Sequence, residues 1–260
     1  MSKWKLTKAN YYQDRYYWTA SLAKTFFDCP DRAVADWHNK HSQKMTPALM
    51  IGSYVDAYLD GKRALNAFCK DHPEIFNSRT GELKADYLQA NEMVARAKQS
   101  RTFMSYLTGY RQKIFTGTIA GVPFKCKCDF WHKDKFICDL KTAKDFEPLY
   151  REGEGRLSFI EYWRWPLQGA IYQELCYQAT GHRLPFYLAI ISKQDPPALK
   201  LVQVSQHMLD TELRILAEKL PLWDAMMKGV VEPDRCELCD WCRQTKVIDE
   251  PEVMDYDGAE

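Results

Sequence analysis

The sequence predicts a mixed α/β fold, with helices first and a sheet later. Two observations carry that expectation. Up to about residue 108 the apolar residues recur at helical spacing, whereas IFTGTIAG, VPFKCKCDFW and KFICDLKT alternate with period two. A proline-opened helical stretch, PLQGAIYQELCYQAT, then separates these strands from the apolar run LPFYLAIISK. The order helix, three strands, helix, strand gives a mixed sheet flanked by helices, behind a helical N-terminal region.

Each element has a local reason. Residues 19–38 carry helical apolar spacing broken at Cys29-Pro30, because proline disfavours helix in the residue before it. Thr46 and Pro47 predict the N-cap and first position of a helix running to about Leu59. Residues 82–108 predict one longer amphipathic helix through Leu83, Tyr87, Val94 and Phe103. The stretch REGEGRL (151–157) predicts a mobile loop. Pro166 opens the next helix and Gly181 closes it. Strands follow at 184–193 and in LKLVQVS, and a helix at 207–228.

The chain has 260 residues, 46% hydrophobic and 27% charged, with a formal net charge of +1. That length can bury one large core, and no Gly/Ser/Pro-rich linker divides it. Residues 1–248 therefore predict a single domain and 249–260 a loose acidic tail. Near-neutral charge means that any basic surface is local. No apolar run reaches spanning length and the start lacks the apolar centre of a signal peptide, so a cytoplasmic protein is expected, with no membrane contact. Nine cysteines, an odd number, fit core thiols or metal ligands in a reducing compartment better than disulfides.

The chemistry gathers in residues 126–145, CKCDFWHKDKFICDLKTAKD. A turn centred on Asp134 sets Asp129 opposite Asp139, where two carboxylates about 5 Å apart repel by about 3 kcal/mol at an effective dielectric of 20. Alternation puts Phe124, Cys126, Cys128, Phe130, Phe136, Cys138 and Leu140 on one apolar inner face. Lys125, Lys127, Asp129, Trp131, Ile137, Asp139 and Lys141 fall on the other. Opposed acids call for a cation, and hard divalent ions such as Mg²⁺ prefer carboxylate oxygens. Upstream, Asp56 sits mid-helix among Ile51, Val55 and Leu59. It is either a third carboxylate of this site or part of a solvent-facing stripe with Gly52 and Asp60. Carboxylates with an adjacent lysine suit metal-assisted phosphodiester hydrolysis.

These residues resemble the PD-(D/E)xK nuclease superfamily, in particular the phage and prophage exonucleases related to exodeoxyribonuclease VIII (RecE) and the RecB nuclease domain. Asp129 matches the first acid, with Cys128 where the motif has proline, and Asp139 and Lys141 match (D/E)xK. Gln168 and Tyr172 match the Gln-x₃-Tyr helix motif of the RecB-like branch. The resemblance implies a restriction-endonuclease-like αβββαβ core. It further implies catalytic roles for Asp129, Asp139, Lys141, Gln168 and Tyr172, and Mg²⁺ (or Mn²⁺) on Asp56, Asp129 and Asp139. The expected activity is exonucleolytic hydrolysis at DNA double-strand ends in phage-type recombination, with a single-strand annealing protein as partner and a homo-oligomer possible. Structure-specific or Cas-associated endonucleases, and a non-catalytic DNA-binding module retaining the fold, share the same elements.

Two further sets of residues stand out. CELCDWC places Cys236, Cys239 and Cys242 three apart, one thiolate short of the four usual for zinc or an iron–sulfur cluster. Cys29 at the upstream helix break is the candidate fourth, which resembles the one-plus-three cysteine clamp of iron–sulfur nucleases; reduced structural thiols are the alternative. Lys125, Lys127, Lys144, Arg151, Arg156 and Arg164, interleaved with Trp163 and Trp165, are candidates for phosphate contact and base stacking.

Overall fold

The computed structural model describes residues 6–41, 45–248, 250 and 251. Of the stretch expected as an acidic tail, residue 249 and residues 252–260 lie outside the described residues. Helix starts follow capping chemistry. The Thr19 hydroxyl accepts from the Leu22 N–H and opens α1 (Ala20–Asp28). Cys29 is both the C-cap of α1 and the N-cap of α2 (Pro30–Trp37). The Thr46 hydroxyl caps α3 (Pro47–Asp60), and α4 (Lys62–Asp71) follows. The helix expected over 82–108 is instead two, α5 (Ala85–Gln99) and α6 (Arg101–Tyr106). Ser100 divides them: its backbone is extended and its hydroxyl accepts from the Phe103 N–H, competing with the helical ladder.

The strands are β1 (Tyr110–Ile119), β2 (Val122–His132) and β3 (Phe136–Ala143). Where a mobile loop was expected, β4 (Leu149–Arg151) and β5 (Gly155–Leu157) pair as a small antiparallel hairpin. Gly153 and Gly155, at φ of 77° and 79°, supply its left-handed backbone. Then come α7 (Phe159–Tyr162), α8 (Trp165–Thr180), β6 (Phe186–Ser192), β7 (Leu199–Val204), α9 (Gln206–Met227) and α10 (Asp240–Thr245). The main sheet has the order β1-β2-β3-β6-β7, parallel between β3 and β6 and antiparallel elsewhere. It is the mixed α/β architecture that the sequence predicts. Among the described residues, no helix is long and apolar enough to cross a membrane.

The sheet separates two cores. Phe26 of α1, Leu167 and Ile171 of α8, and Leu216 and Leu220 of α9 pack on one face; Val55 of α3 and Met93 and Val94 of α5 pack on the other. Each such side chain, fully buried, contributes about 1.5–3 kcal/mol.

The β2–β3 hairpin turns at Asp134 in the expected register, with His132 opposite Phe136, Trp131 opposite Ile137 and Phe130 opposite Cys138. There the ladder ends and the strands part. Further along, the free edge of β2 is taken by Trp18, whose N–H donates to Pro123 O at 2.8 Å and whose carbonyl accepts from the Lys125 N–H at 2.9 Å.

The expected single inner face of the hairpin does not exist. Phe124, Cys126 and Cys128 belong to the core beneath α8, whereas Phe130 and Cys138 belong to the opposite core. Alternation breaks at Asp129. Its neighbour across β1, Gln112, has a left-handed φ of 55°, and the pair is missing from an otherwise regular ladder. A non-glycine residue held there costs of order 1–3 kcal/mol. The strain sits at the fork where the acids meet.

Candidate active site

The fork of β2 and β3 is closed by a side chain. Asp129 Oδ2 accepts from the Leu140 N–H at 3.1 Å, in place of a ladder bond, and Oδ1 accepts from Gln112 Nε2 at 3.4 Å. On β3, Asp139 is 1% exposed. Its Oδ1 accepts from Gln168 Nε2 at 2.9 Å, and its Oδ2 lies 2.5 Å from Lys141 Nζ. That ion pair lacks hydrogen-bond alignment, and among the described residues Oδ2 has no hydrogen-bond donor. Gln168 reaches Asp139 because α8 presses onto the sheet at the next residue. A Cβ on Gly169 would stand 2.5 Å from the Phe186 ring, so glycine sets this approach.

The acids and lysine are electrostatically coupled. Burial pushes the Asp129 carboxyl well above the usual range and Asp139 adds to the rise, with Lys141 opposing. Burial alone would lower Lys141, but Asp139 and Asp129 outweigh it and the net shift is upward. Tyr172, one turn beyond Gln168, has its hydroxyl raised by burial and then by Asp139. Asp129 also adds to the rise.

Asp56 is near these groups but engaged elsewhere. Its Oδ1 accepts from Arg111 Nη2 at 2.9 Å, and Asp60 pairs with Arg111 Nε at 2.7 Å. Burial raises the Asp56 carboxyl and Arg111 opposes the rise. Asp56 and Asp60 keep part of the solvent exposure of the expected stripe, 37% and 44% of their side chains, and a metal on Asp56 would compete with that guanidinium. A second residue was not anticipated. Lys24 of α1 donates to Gln168 Oε1 at 3.1 Å. The sequence signal was a lysine one helical turn after Ala20 on a helix whose Ala23 and Phe26 are buried.

The basic and aromatic candidates divide. Lys125 is 2% exposed and donates to the carbonyls of Tyr11 and Asp14, so it fastens the N-terminal segment and is not available to DNA. Trp165 is buried against Phe159 beneath the Lys141 ammonium, which removes it as a stacking surface. Lys127 donates to the exposed Tyr12 hydroxyl at 2.8 Å. Arg164 pairs with Glu154 at 2.7 Å, and Arg151 with the same carboxylate at 3.0 Å. Lys144, Arg156 and Trp163 remain exposed.

A second cluster lies at the far end of α1. The Sγ atoms of Cys29, Cys236, Cys239 and Cys242 all fall within 4.8 Å of one another. Cys29 and Cys242 are 3.5 Å apart, and Cys236 and Cys242 3.9 Å. Backbone N–H groups of Arg32, Cys239 and Cys242 point at Cys29, Cys236 and Cys239 respectively. Burial raises Cys236, but the N–H groups of Leu238 and Cys239 outweigh it and bring the thiol down to about 7; Cys29, more deeply buried, is raised. Around the cluster, Arg235 and Trp241 both donate to Asp31 Oδ2, at 2.9 and 2.8 Å.

Both clusters fit a metal by the chemistry of their donors. The undonated, buried Asp139 Oδ2 beside Asp129 offers hard oxygens to a divalent ion such as Mg²⁺. Four convergent thiols suit zinc or iron.

Comparison with known proteins bears on the family and the fold. No curated protein matches the chain. A crystal structure of a "Putative exonuclease" from Eubacterium rectale superposes with a TM-score of 0.90 at 35% sequence identity, covering 96% of this chain and 97% of that one. The model of the PDDEXK-like domain of unknown function (DUF3799) matches residues 19–245. With that match across the helices, the forked strands and the cysteine cluster, the chain belongs to the PDDEXK-like family DUF3799.

Proposed function

We propose that this protein is a Mg²⁺-dependent deoxyribonuclease that degrades DNA from double-strand ends. The observation that carries the reading is the buried Asp139, with one oxygen held by Gln168 and the other turned undonated toward Lys141 beside Asp129. The name of the Eubacterium rectale relative supports the exonuclease form. A role in RecE-like, phage-type recombination with an annealing partner rests on the motif resemblance.

Asp129 and Asp139 would hold the cation, which supplies Lewis-acid stabilisation of charge developing on the scissile phosphate. Lys141, beside Asp139, would orient a water or phosphate oxygen and offset the charge that develops there. Gln168 fixes the Asp139 carboxylate. Tyr172, on the same face of α8 as Gln168, is within electrostatic reach of both acids.

End-labelled linear duplex and closed circular DNA, each with Mg²⁺ or EDTA, test this reading. Release of nucleotides from linear DNA with Mg²⁺, and none with EDTA, is expected. Equal cleavage of closed circles would make it an endonuclease, and no cleavage of either would leave a non-catalytic module.

For the thiol cluster we infer one zinc ion in preference to a 4Fe–4S iron–sulfur cluster. Four thiolates on one zinc, at Zn–S of about 2.3 Å, stand about 3.8 Å apart. The four Sγ atoms lie within 4.8 Å of one another, two of the pairs at 3.5 and 3.9 Å. A cubane gives each thiolate its own iron and spreads the four sulfurs wider. Metal analysis of anaerobically purified protein decides: zinc in colourless protein is expected, and brown, iron-loaded protein would reverse the assignment.

A further inference from the structure

Lys24 is largely buried with no carboxylate in direct contact. Among the described residues it forms no ion pair, and its one hydrogen bond goes to the neutral Gln168. Burial and then the Lys141 ammonium lower its pKa to about 7, with Asp139 and Asp28 opposing the fall. A methionine would fill the position without that cost. What the ammonium gains is control of an amide.

Gln168 has one accepting and one donating end. Its Oε1 faces the Lys24 ammonium at 3.1 Å, and its Nε2 faces Asp139 Oδ1 at 2.9 Å. Turned over, the amide would set N–H against a cation and oxygen against a carboxylate. Both contacts would become repulsive. The cation on α1 and the anion on β3 thus select the same orientation for Gln168, which is 8% exposed. With Oδ1 occupied, Asp139 offers Oδ2 to Lys141 and to a cation.

We propose that Lys24 is a positioning residue of this site, fixing the Gln168 amide and, through it, the carboxylate of Asp139. The proposal rests on the nuclease reading for its consequence in catalysis, though not for its consequence in metal binding. Outer partners of a metal ligand typically change affinity by about 10–100-fold when removed.

A double-mutant cycle on the full chain tests it, using Lys24→Met, Gln168→Leu and the pair. The readouts are Mn²⁺ affinity by calorimetry, the single-turnover rate on linear duplex with Mg²⁺, and KM. Lys24→Met should weaken Mn²⁺ binding about tenfold and slow turnover with little change in KM. In the Gln168→Leu background the same substitution should add nothing, and Lys24→Arg should restore most of the loss. Equal effects in both backgrounds, or unchanged Mn²⁺ affinity in Lys24→Met, would overturn the proposal. Should Lys24→Met fail to fold, Lys24→Gln replaces it in the cycle, since it keeps a donor and loses the charge. A wild-type chain that cleaves no DNA would sink the nuclease reading, while the Mn²⁺ cycle would still decide the role of Lys24.

Discussion

At the strand fork, two carboxylates and an ammonium share a buried space contributed by neighbouring strands, Asp129 and Leu140 touching across a short hairpin. At the thiol cluster, Cys29 meets Cys242 across 213 residues of chain. The fork is electrostatically costly but local, so it stays assembled by the hairpin around it. The thiol cluster carries little charge until a metal draws off its protons, and it joins segments far apart in the chain that otherwise meet through Asp31 and His41. Removing a metal from the first should therefore change chemistry far more than stability. Removing one from the second should do the reverse.

The largest expected effect is at the fork. Asp139→Ala should lower turnover by about 10⁴-fold, equivalent to about 5 kcal/mol, while the melting temperature stays within a few degrees of wild type. Lys141→Ala should lose most turnover but keep Mn²⁺ affinity, because the ammonium acts on oxygen and not on the ion. If both variants lost Mn²⁺ affinity equally, the division between ligand and donor would be broken.

Cys29→Ser and Cys239→Ser should show the opposite pattern. Closing a loop of this length restricts the unfolded chain by about 5 kcal/mol on the entropic model. The contacts of Asp31 with Arg235 and Trp241 remain in either variant and offset part of that loss. A fall in melting temperature of about 10 °C is expected. The double variant should fall scarcely further, because one substitution already opens the clamp. Additive losses in thermal melts would mean four separate packing thiols.

A smaller effect separates the fork from an ordinary buried acid. Asp129 has its folded pKa raised, chiefly by burial and then by Asp139, above the value near 3.9 expected of the unfolded chain. Between those values the folded state holds a proton that the unfolded state has released. Stability is thus fully present below the unfolded pKa and is lost as pH rises through the folded one. Asp129→Asn should remove that slope and stabilise the metal-free protein near pH 8 by about 1–3 kcal/mol, the scale of carboxylate repulsion at roughly 5 Å with part offset by Lys141. Mg²⁺ should stabilise wild type more at pH 8 than at pH 5, and Asp129→Asn at neither. Denaturant titrations at both pH values check it; a wild-type protein more stable at pH 8 without metal would contradict the sign.

The same contrast explains what could be read from the sequence. The fork was legible because turn, register and acids lie within one hairpin, and Asp134 alone fixes which residues oppose. The thiol cluster was legible from regular cysteine spacing and from a helix break at Cys29. The exchange of faces at Asp129 was not, since it depends on the left-handed backbone of Gln112 in another strand. Alternation turned Lys125 outward, but Tyr11, 114 residues away, covers it. Lys24 lies 144 residues from Gln168, and nothing local announces a contact of that reach.

The smallest expected effect asks whether the two regions are independent at all. They share one helix: α1 presents Lys24 toward Gln168 and ends at Cys29, a little over one turn later. A metal on the thiols fixes the end of α1, and through it the ammonium that orients the Gln168 amide. Loss of that metal should let the end of α1 fray, lengthen the Lys24–Gln168 contact and weaken Mn²⁺ binding at the fork. The expected coupling is about fivefold in affinity, the low end of the usual 1–3 kcal/mol between sites, because Phe26 still holds the helix in its core. Mn²⁺ calorimetry on Cys239→Ser, at a temperature where it remains folded, measures this directly. In the Lys24→Met background the fivefold difference should vanish, since the helix then carries nothing to the amide. An affinity unchanged by Cys239→Ser would show that the thiol site stabilises the chain and does not reach the fork.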